Sequence, residues 1–164
     1  MSADKSVTLN DPTKVWDMIK RIDTCMFITH PDGGARGRPM STIPMQDENM
    51  IYLLTEATAG AAEDVAAKGD ILLSYQGGND YVCVSGRATI DADKTLIKRL
   101  WSTGAQAYWP DGAEANDVVA IKVRPAKADY WDGPNPVVGA VKFAFALLAG
   151  TEPELGERGV AKMG

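Results

Sequence analysis

Apolar positions along this chain alternate between two periods, and each change of period marks a new element. Val15, Met18, Ile19 and Ile22 recur at helical spacing, behind Asp11 as an N-cap and Pro12 at the first helical position. The period then shortens. "CMFITH" is strand-like, "PDGG" is a strong turn signal, and "RGRPMSTIPM" reads as the returning strand, so residues 25–45 form a predicted hairpin. "MIYLLT" is a third strand, and "AGAAEDVAAK" is a short Ala-rich helix stopped by Gly69. "DILLSYQ", the turn "GGND" and "YVCVSGRATI" make a second hairpin.

"DADKTLIKRLWS" starts a third helix, and "YWPDGAEAND" reads as a loop. "VVAIKVRPAKADYW" gives two strand-like pieces around Pro125, and "NPVVGAVKFAFALLAG" a last helix. Consecutive hairpins favour an antiparallel sheet, and closing it into a barrel removes its edges. The expected fold is therefore mainly β with short helices inserted, an α+β antiparallel barrel of six to seven strands. Residues 1–150 form one domain in this reading. Residues 151–164, polar and Gly-rich, form a mobile tail.

Charge and cysteine usage narrow the function classes. The 164 residues carry a net charge of −5, which repels phosphate backbones and argues against general nucleic-acid binding. Any anion must be bound locally, against the overall field. Cys25 and Cys83 both sit in apolar strand-like runs and read as small buried hydrophobes in a reducing compartment. "MSADKSVTLNDP" lacks the apolar core of a signal peptide, and Lys142 interrupts the longest apolar stretch. These features point to a soluble, cytoplasmic protein without a membrane partner.

Much catalytic machinery is missing. His30 is the only histidine and sits in a turn, so histidine metal sites and Ser-His-Asp hydrolysis have little to build on. No Walker A run and no G-x-G-x-x-G opening a helix is present, and no carboxylate pair marks a glycosidase. Arg36 and Arg38 remain. Two apart on a strand, they share a face, and a fork of guanidinium groups suits phosphate. The same pair also suits an exposed edge strand protected from pairing. The residues alone leave both readings open.

The ordered set "RGRPMST", "YLLT", "SYQGGNDYVCVSGRATI", "LW", "WPDG" and "DYWDGP", spanning about residues 12–150, resembles the pyridoxamine 5′-phosphate oxidase-like family, in its general stress protein branch. The resemblance implies a split β-barrel homodimer that binds FMN at the subunit interface. It implies that Arg36 and Arg38, with Pro39 in the same motif, stand by the phosphate and ribityl chain. Met40, Ser41 and Thr42 would lie along the flavin ring, and Thr55 near the ring and ribityl chain. Tyr81 and Trp109 of the other subunit would close over the cofactor, with Trp131 nearby. Trp16 and Trp101, at helical spacing, read instead as core. Trp109 and Trp131 also have packing readings, as a dimer anchor and a buried strand-end residue.

Two departures from the family pattern bear on activity. Relatives usually continue T-x-x-x-S-x-K, with Ser and Lys on the phosphate. Here "TEATAGAAEDV" places Ala59 and Ala61 there, beside Glu56, Glu63 and Asp64. One lost charge-assisted contact costs about 1.5–3 kcal/mol, roughly one to two orders of magnitude in affinity. Helix amides and Thr58, as a cap or turned toward an anion, offer compensation. The tail also lacks the Arg/His segment that grips the substrate in true oxidases, which argues against pyridoxamine 5′-phosphate oxidation. The leading reading is a flavin-binding redox protein of the general-stress type with a weakened phosphate clamp. The alternative is a dimeric binding or structural module without cofactor. A deazaflavin or haem relative is a third reading, without a basic groove or an evident axial ligand to support it.

Overall fold

A computed structural model describes residues 10–115, 117–152 and 156–164. The segment read as lacking a signal peptide lies largely outside the described residues. Helix α1 (Pro12–Ile22) starts as expected: Asp11 accepts from the Lys14 amide at 3.0 Å, and Pro12 occupies the first turn. It buries Val15, Trp16, Met18 and Ile19 against strands of the sheet. Eight strands follow in the chain: β1 (Thr24–Thr29), β2 (Arg36–Ser41), β3 (Ile43–Met45), β4 (Met50–Glu56), β5 (Asp70–Gly77), β6 (Asp80–Asp91), β7 (Val118–Asp132) and β8 (Glu157–Lys162). Between them lie α2 (Gly60–Ala67), α3 (Lys94–Leu100), α4 (Thr103–Tyr108) and α5 (Pro136–Ala149).

The sheet is antiparallel, in the order β2-β1-β5-β6-β7-β4-β3, with β8 added to β7. This is the split-barrel α+β fold. The predicted return strand of the first hairpin divides in two: β2 pairs β1 at one edge and β3 pairs β4 at the other. Only Thr42 lies between them, so the two edges must approach each other and the sheet must curl. Thr42 is buried and locked: its amide and its hydroxyl both donate to the Asp23 carbonyl, at 3.0 and 2.7 Å, and it accepts from the Tyr75 hydroxyl at 3.3 Å.

Alternation places the core on two sides of the sheet. Ile51 and Leu53 of β4 join an inner cluster with Phe27, Leu73, Val84, Tyr130 and the buried face of α1. Tyr52 faces the opposite way, into a smaller cluster with Ile97, Leu100 and Val118. Three expectations are corrected. The two pieces around Pro125 are one continuous strand, because the register shifts between Ser85 and Gly86 and seats Pro125 opposite Gly86 at the bulge. The expected loop begins one residue later than Tyr108, which closes α4, a helix over residues 103–108 with Ser102 as its cap. Part of the expected mobile tail is β8, which runs along β7 from Asp132 to Lys127. Lys14 ties it down, reaching Asp132 at 2.7 Å and Glu157 at 2.9 Å. Among the described residues no helix is long and apolar enough to cross a membrane.

Candidate functional site

The alternation of β1 turns Cys25, Phe27 and Thr29 inward, and Thr29 ends that face fully buried. β2 pairs beside it with Arg36 opposite Thr29 and Arg38 opposite Phe27. Helix α2 packs over this end of the sheet with Ala61 and Val65 in the core. Asp64 lies on the same buried face of α2, and a buried carboxylate needs partners. Its Oδ2 accepts from the Thr29 hydroxyl at 2.7 Å and from Arg38 Nη2 at 2.7 Å. Its Oδ1 faces Arg36 Nη1 at 3.6 Å. The Thr29 hydrogen bond, followed by the two guanidinium groups, holds the Asp64 carboxyl below the usual carboxylate range despite its burial.

The two arginines therefore differ. Arg38 has a side chain 22% exposed and spends its guanidinium on Asp64 and Thr29. Arg36 has a side chain 60% exposed, and its guanidinium lies beside the first residue of α2. A methyl built on Gly60 would sit 3.6 and 3.8 Å from its two terminal nitrogens. The first amides of a helix have no partner inside it, so Arg36 borders a ready set of N–H donors. Arg36 and the opening of α2 form a small, solvent-facing anion cradle.

The remaining residues of the motif divide between faces of β2. Arg36, Arg38 and Met40 share one face, and Met40 packs on the inner cluster. Pro39 and Ser41 lie on the other face, exposed. Thr42 is engaged in closing the sheet, as described above. Thr55 shares the inward face of β4 with Ile51 and Leu53 and is 8% exposed. Its hydroxyl has no hydrogen-bond partner among the described residues, and five residues later the chain enters α2. Thr58 is exposed and does not cap α2: the cap position is Ala59, which offers no side-chain acceptor. Ala61 is 3% exposed inside the core, so a side chain there meets packing before it meets solvent.

Tyr81 and Trp131 lie elsewhere. They face each other across β6 and β7, both partly exposed, and the Arg158 guanidinium sits 5.1 Å from the Trp131 ring. With Asn79 and Gly133 they line a cleft of about 210 Å³. The register row through Arg36 passes Thr29, Ile71 and Gly86. Tyr81 is five residues from Gly86 along β6, about 17 Å at the rise of a strand. One chain thus carries a cationic end at β2 and α2 and an aromatic end at β6 and β7. Trp109 joins neither: it packs on Trp101 at 6.0 Å between centroids, in the smaller cluster. Trp16 is core, as expected.

The cysteines are placed as structural residues. Burial pushes the Cys25 thiol up to about 12, and burial also raises Cys83. Both are free thiols. Among the described residues no group of three His, Cys, Asp or Glu side chains could hold a metal ion.

The residue that pattern reading undervalued is Asp64. It was visible only as part of an acidic neighbourhood. The stronger signal was its place three residues after Ala61 and one before Val65, on the apolar face of α2. Thr29, the last inward position of β1, gave a matching signal.

With this geometry in hand, comparisons with known proteins decide the family. The family model described as pyridoxamine 5′-phosphate oxidase like matches residues 10–154. The chain belongs to that family. A candidate general stress protein 26 from Jannaschia sp. CCS1 superimposes with a TM-score of 0.77 at 22% identity, covering 92% of this chain and 96% of that one. The general stress FMN/FAD binding protein of Xanthomonas citri gives 0.63 at 20% identity, over 72% of this chain and 85% of that one. A pyridoxamine 5′-phosphate oxidase-related, FMN binding protein of Nostoc punctiforme PCC 73102 gives 0.58 at 10% identity, over 74% and 80%. A comparison with curated protein sequences found no match. At these identities the solved relatives establish the fold.

Proposed function

We propose that this family member binds a flavin, FMN above all, and serves a redox role of the general-stress type. The observation that carries the reading is the placement of Arg36: a mostly exposed guanidinium beside the start of α2, where an anion meets both a cation and backbone donors. Two relatives of the same fold are described as FMN/FAD binding and FMN binding. The residues present fit the ribityl phosphate end of such a group. Arg36 and the amides of Gly60 and Ala61 would hold the phosphate, and the unpartnered Thr55 hydroxyl would face the ribityl chain. The exposed side of β2 at Pro39 and Ser41 leaves backbone for the ring to approach.

A bound flavin supplies the electron and hydride chemistry itself, so the protein's part is to bind, orient and exclude water. The clamp is a weak one. Arg38 is committed to Asp64, and Ala59 and Ala61 supply no donors. The aromatic pair lies on β6 and β7, apart from the β2 strand that carries Arg36. A homodimer that brings Tyr81 and Trp131 of one copy over the Arg36 end of another completes the pocket. Trp109, packed on Trp101, acts through the loop it anchors. Arg158, in β8, is the one arginine between residues 151 and 164.

An absorption spectrum of purified protein and an FMN titration read through flavin fluorescence test this. A flavin band, or saturable quenching with a micromolar midpoint, supports the reading. A colourless protein that leaves FMN fluorescence and its own melting temperature unchanged contradicts it, since a ligand of the native state must stabilise it. That second outcome favours a module without cofactor, the reading that Ala59, Ala61 and the self-paired Arg38 support.

A further inference from the structure

We propose that Asp64 is a specificity-determining residue that limits the charge the flavin site can accept. The inference rests on the flavin reading above and adds what the site selects. Arg36 and Arg38 bring two positive charges to this end of the barrel, and Asp64 returns one negative charge between them. The carboxylate touches both guanidinium groups and the Thr29 hydroxyl, with a side chain only 10% exposed. It is therefore a fixed part of the site and offsets one of the two arginine charges there.

A phosphate monoester carries about 1.5–2 negative charges at neutral pH. Each phosphate of a diphosphate diester carries one. A cradle with a fixed carboxylate between its two arginines meets the second negative charge of a phosphate less favourably than the first. The Asp64 carboxylate thus lowers affinity for FMN while leaving riboflavin, which has no phosphate, unaffected. It penalises FAD less than FMN, because the ribityl phosphate of FAD, ester-linked on one side and anhydride-linked on the other, carries a single charge.

The test titrates wild-type protein and Asp64→Asn with FMN, FAD and riboflavin through flavin fluorescence. Asparagine keeps an acceptor for Thr29 and Arg38 and removes the charge. The expected result is FMN binding about five- to tenfold tighter in the variant. FAD then gains less than about threefold, and riboflavin does not change. The double variant Asp64→Asn with Arg38→Gln restores the net charge and returns FMN affinity to within about twofold of wild type. A merely structural Asp64 would move all three flavins together and would not be rescued by removing Arg38. If Asp64→Asn does not fold, Asp64→Ser, which retains a short acceptor, takes its place.

An unchanged ratio of FMN to riboflavin affinity in the single variant overturns the proposal, while the flavin reading survives. A double variant that binds FMN far more weakly than wild type also overturns it, because Arg38 would then grip the phosphate directly. Absence of flavin binding in every protein overturns the flavin reading and this proposal with it.

Discussion

The two ends of the strand bundle were built by opposite means. At the Arg36 end, charge is concentrated and then restrained: a buried carboxylate holds one arginine and leaves its neighbour facing solvent. At the Tyr81 end, apolar area is left uncovered, with an aromatic pair across two strands and a guanidinium over one ring. The cationic end suits the phosphate of a ligand and the aromatic end suits a planar ring. On the flavin reading proposed above, a second copy would bring the two ends together over one ligand.

The comparison can be broken hardest at β8. Gly159 lies against Tyr130, and a Cβ there would fall 2.4 Å from the ring carbon Cζ and from the hydroxyl oxygen. Gly159→Ala should cost about 3 kcal/mol and lower Tm by about 6–12 °C in a thermal melt. It should also detach Arg158 from Trp131 while sparing the cationic end. A melt within 2 °C of wild type would mean that β8 does not press on Tyr130 (a shift far below the range expected for that cost).

Asp64→Asn is the corresponding break at the cationic end. Removing the charge should cost about 2 kcal/mol at neutral pH, read by urea unfolding. The sign of its pH dependence follows from the lowered carboxyl pKa. A depressed pKa gives stability that is full above the ordinary carboxylate range and is lost as pH falls through the lower, folded value. The gap between wild type and variant should therefore close as the solution is taken well below pH 4, the ordinary range of the group. A gap independent of pH would assign the loss to packing.

Two smaller effects sharpen the account. Arg36→Gln should weaken FMN binding about tenfold, or 1.4 kcal/mol, with Tm almost unmoved because the side chain is mostly exposed. Thr58→Ala should change neither stability by more than about 0.5 kcal/mol nor FMN affinity, since Thr58 neither caps α2 nor packs. A clear loss of affinity in Thr58→Ala would place the anion on the turn before α2.

Much of the fold was legible in the chain because period and turn chemistry agree. Asp11 and Pro12 start α1, and Gly33 and Gly34 both take the positive φ that the "PDGG" turn requires. What local pattern could not show was decided by pairing at a distance. "RGRPMSTIPM" is uniform as a strand, and only the competition between β1 and β4 for its two halves splits it at Thr42. β8 is charged at both ends with only Val160 and Ala161 apolar, and it becomes a strand because β7 offers an edge and Lys14 offers a countercharge. The candidate site was legible as residue types and less so as roles. Arg36 and Arg38 read as equals on one face, and nothing in their spacing tells which one Asp64 takes. Thr42 reads like a ligand contact in the motif, yet its hydroxyl closes the sheet.

The measurement that tests the central claim most directly is complementation between damaged copies. Arg36→Gln and Trp131→Ala proteins, each weak in FMN binding, are unfolded together, refolded as an equal mixture and titrated with FMN. If the cationic end of one copy meets the aromatic end of another, half of the dimers are mixed and each holds one intact site. About one quarter of all sites then bind with wild-type affinity. A mixture that binds no better than the two variants measured separately would contradict the account.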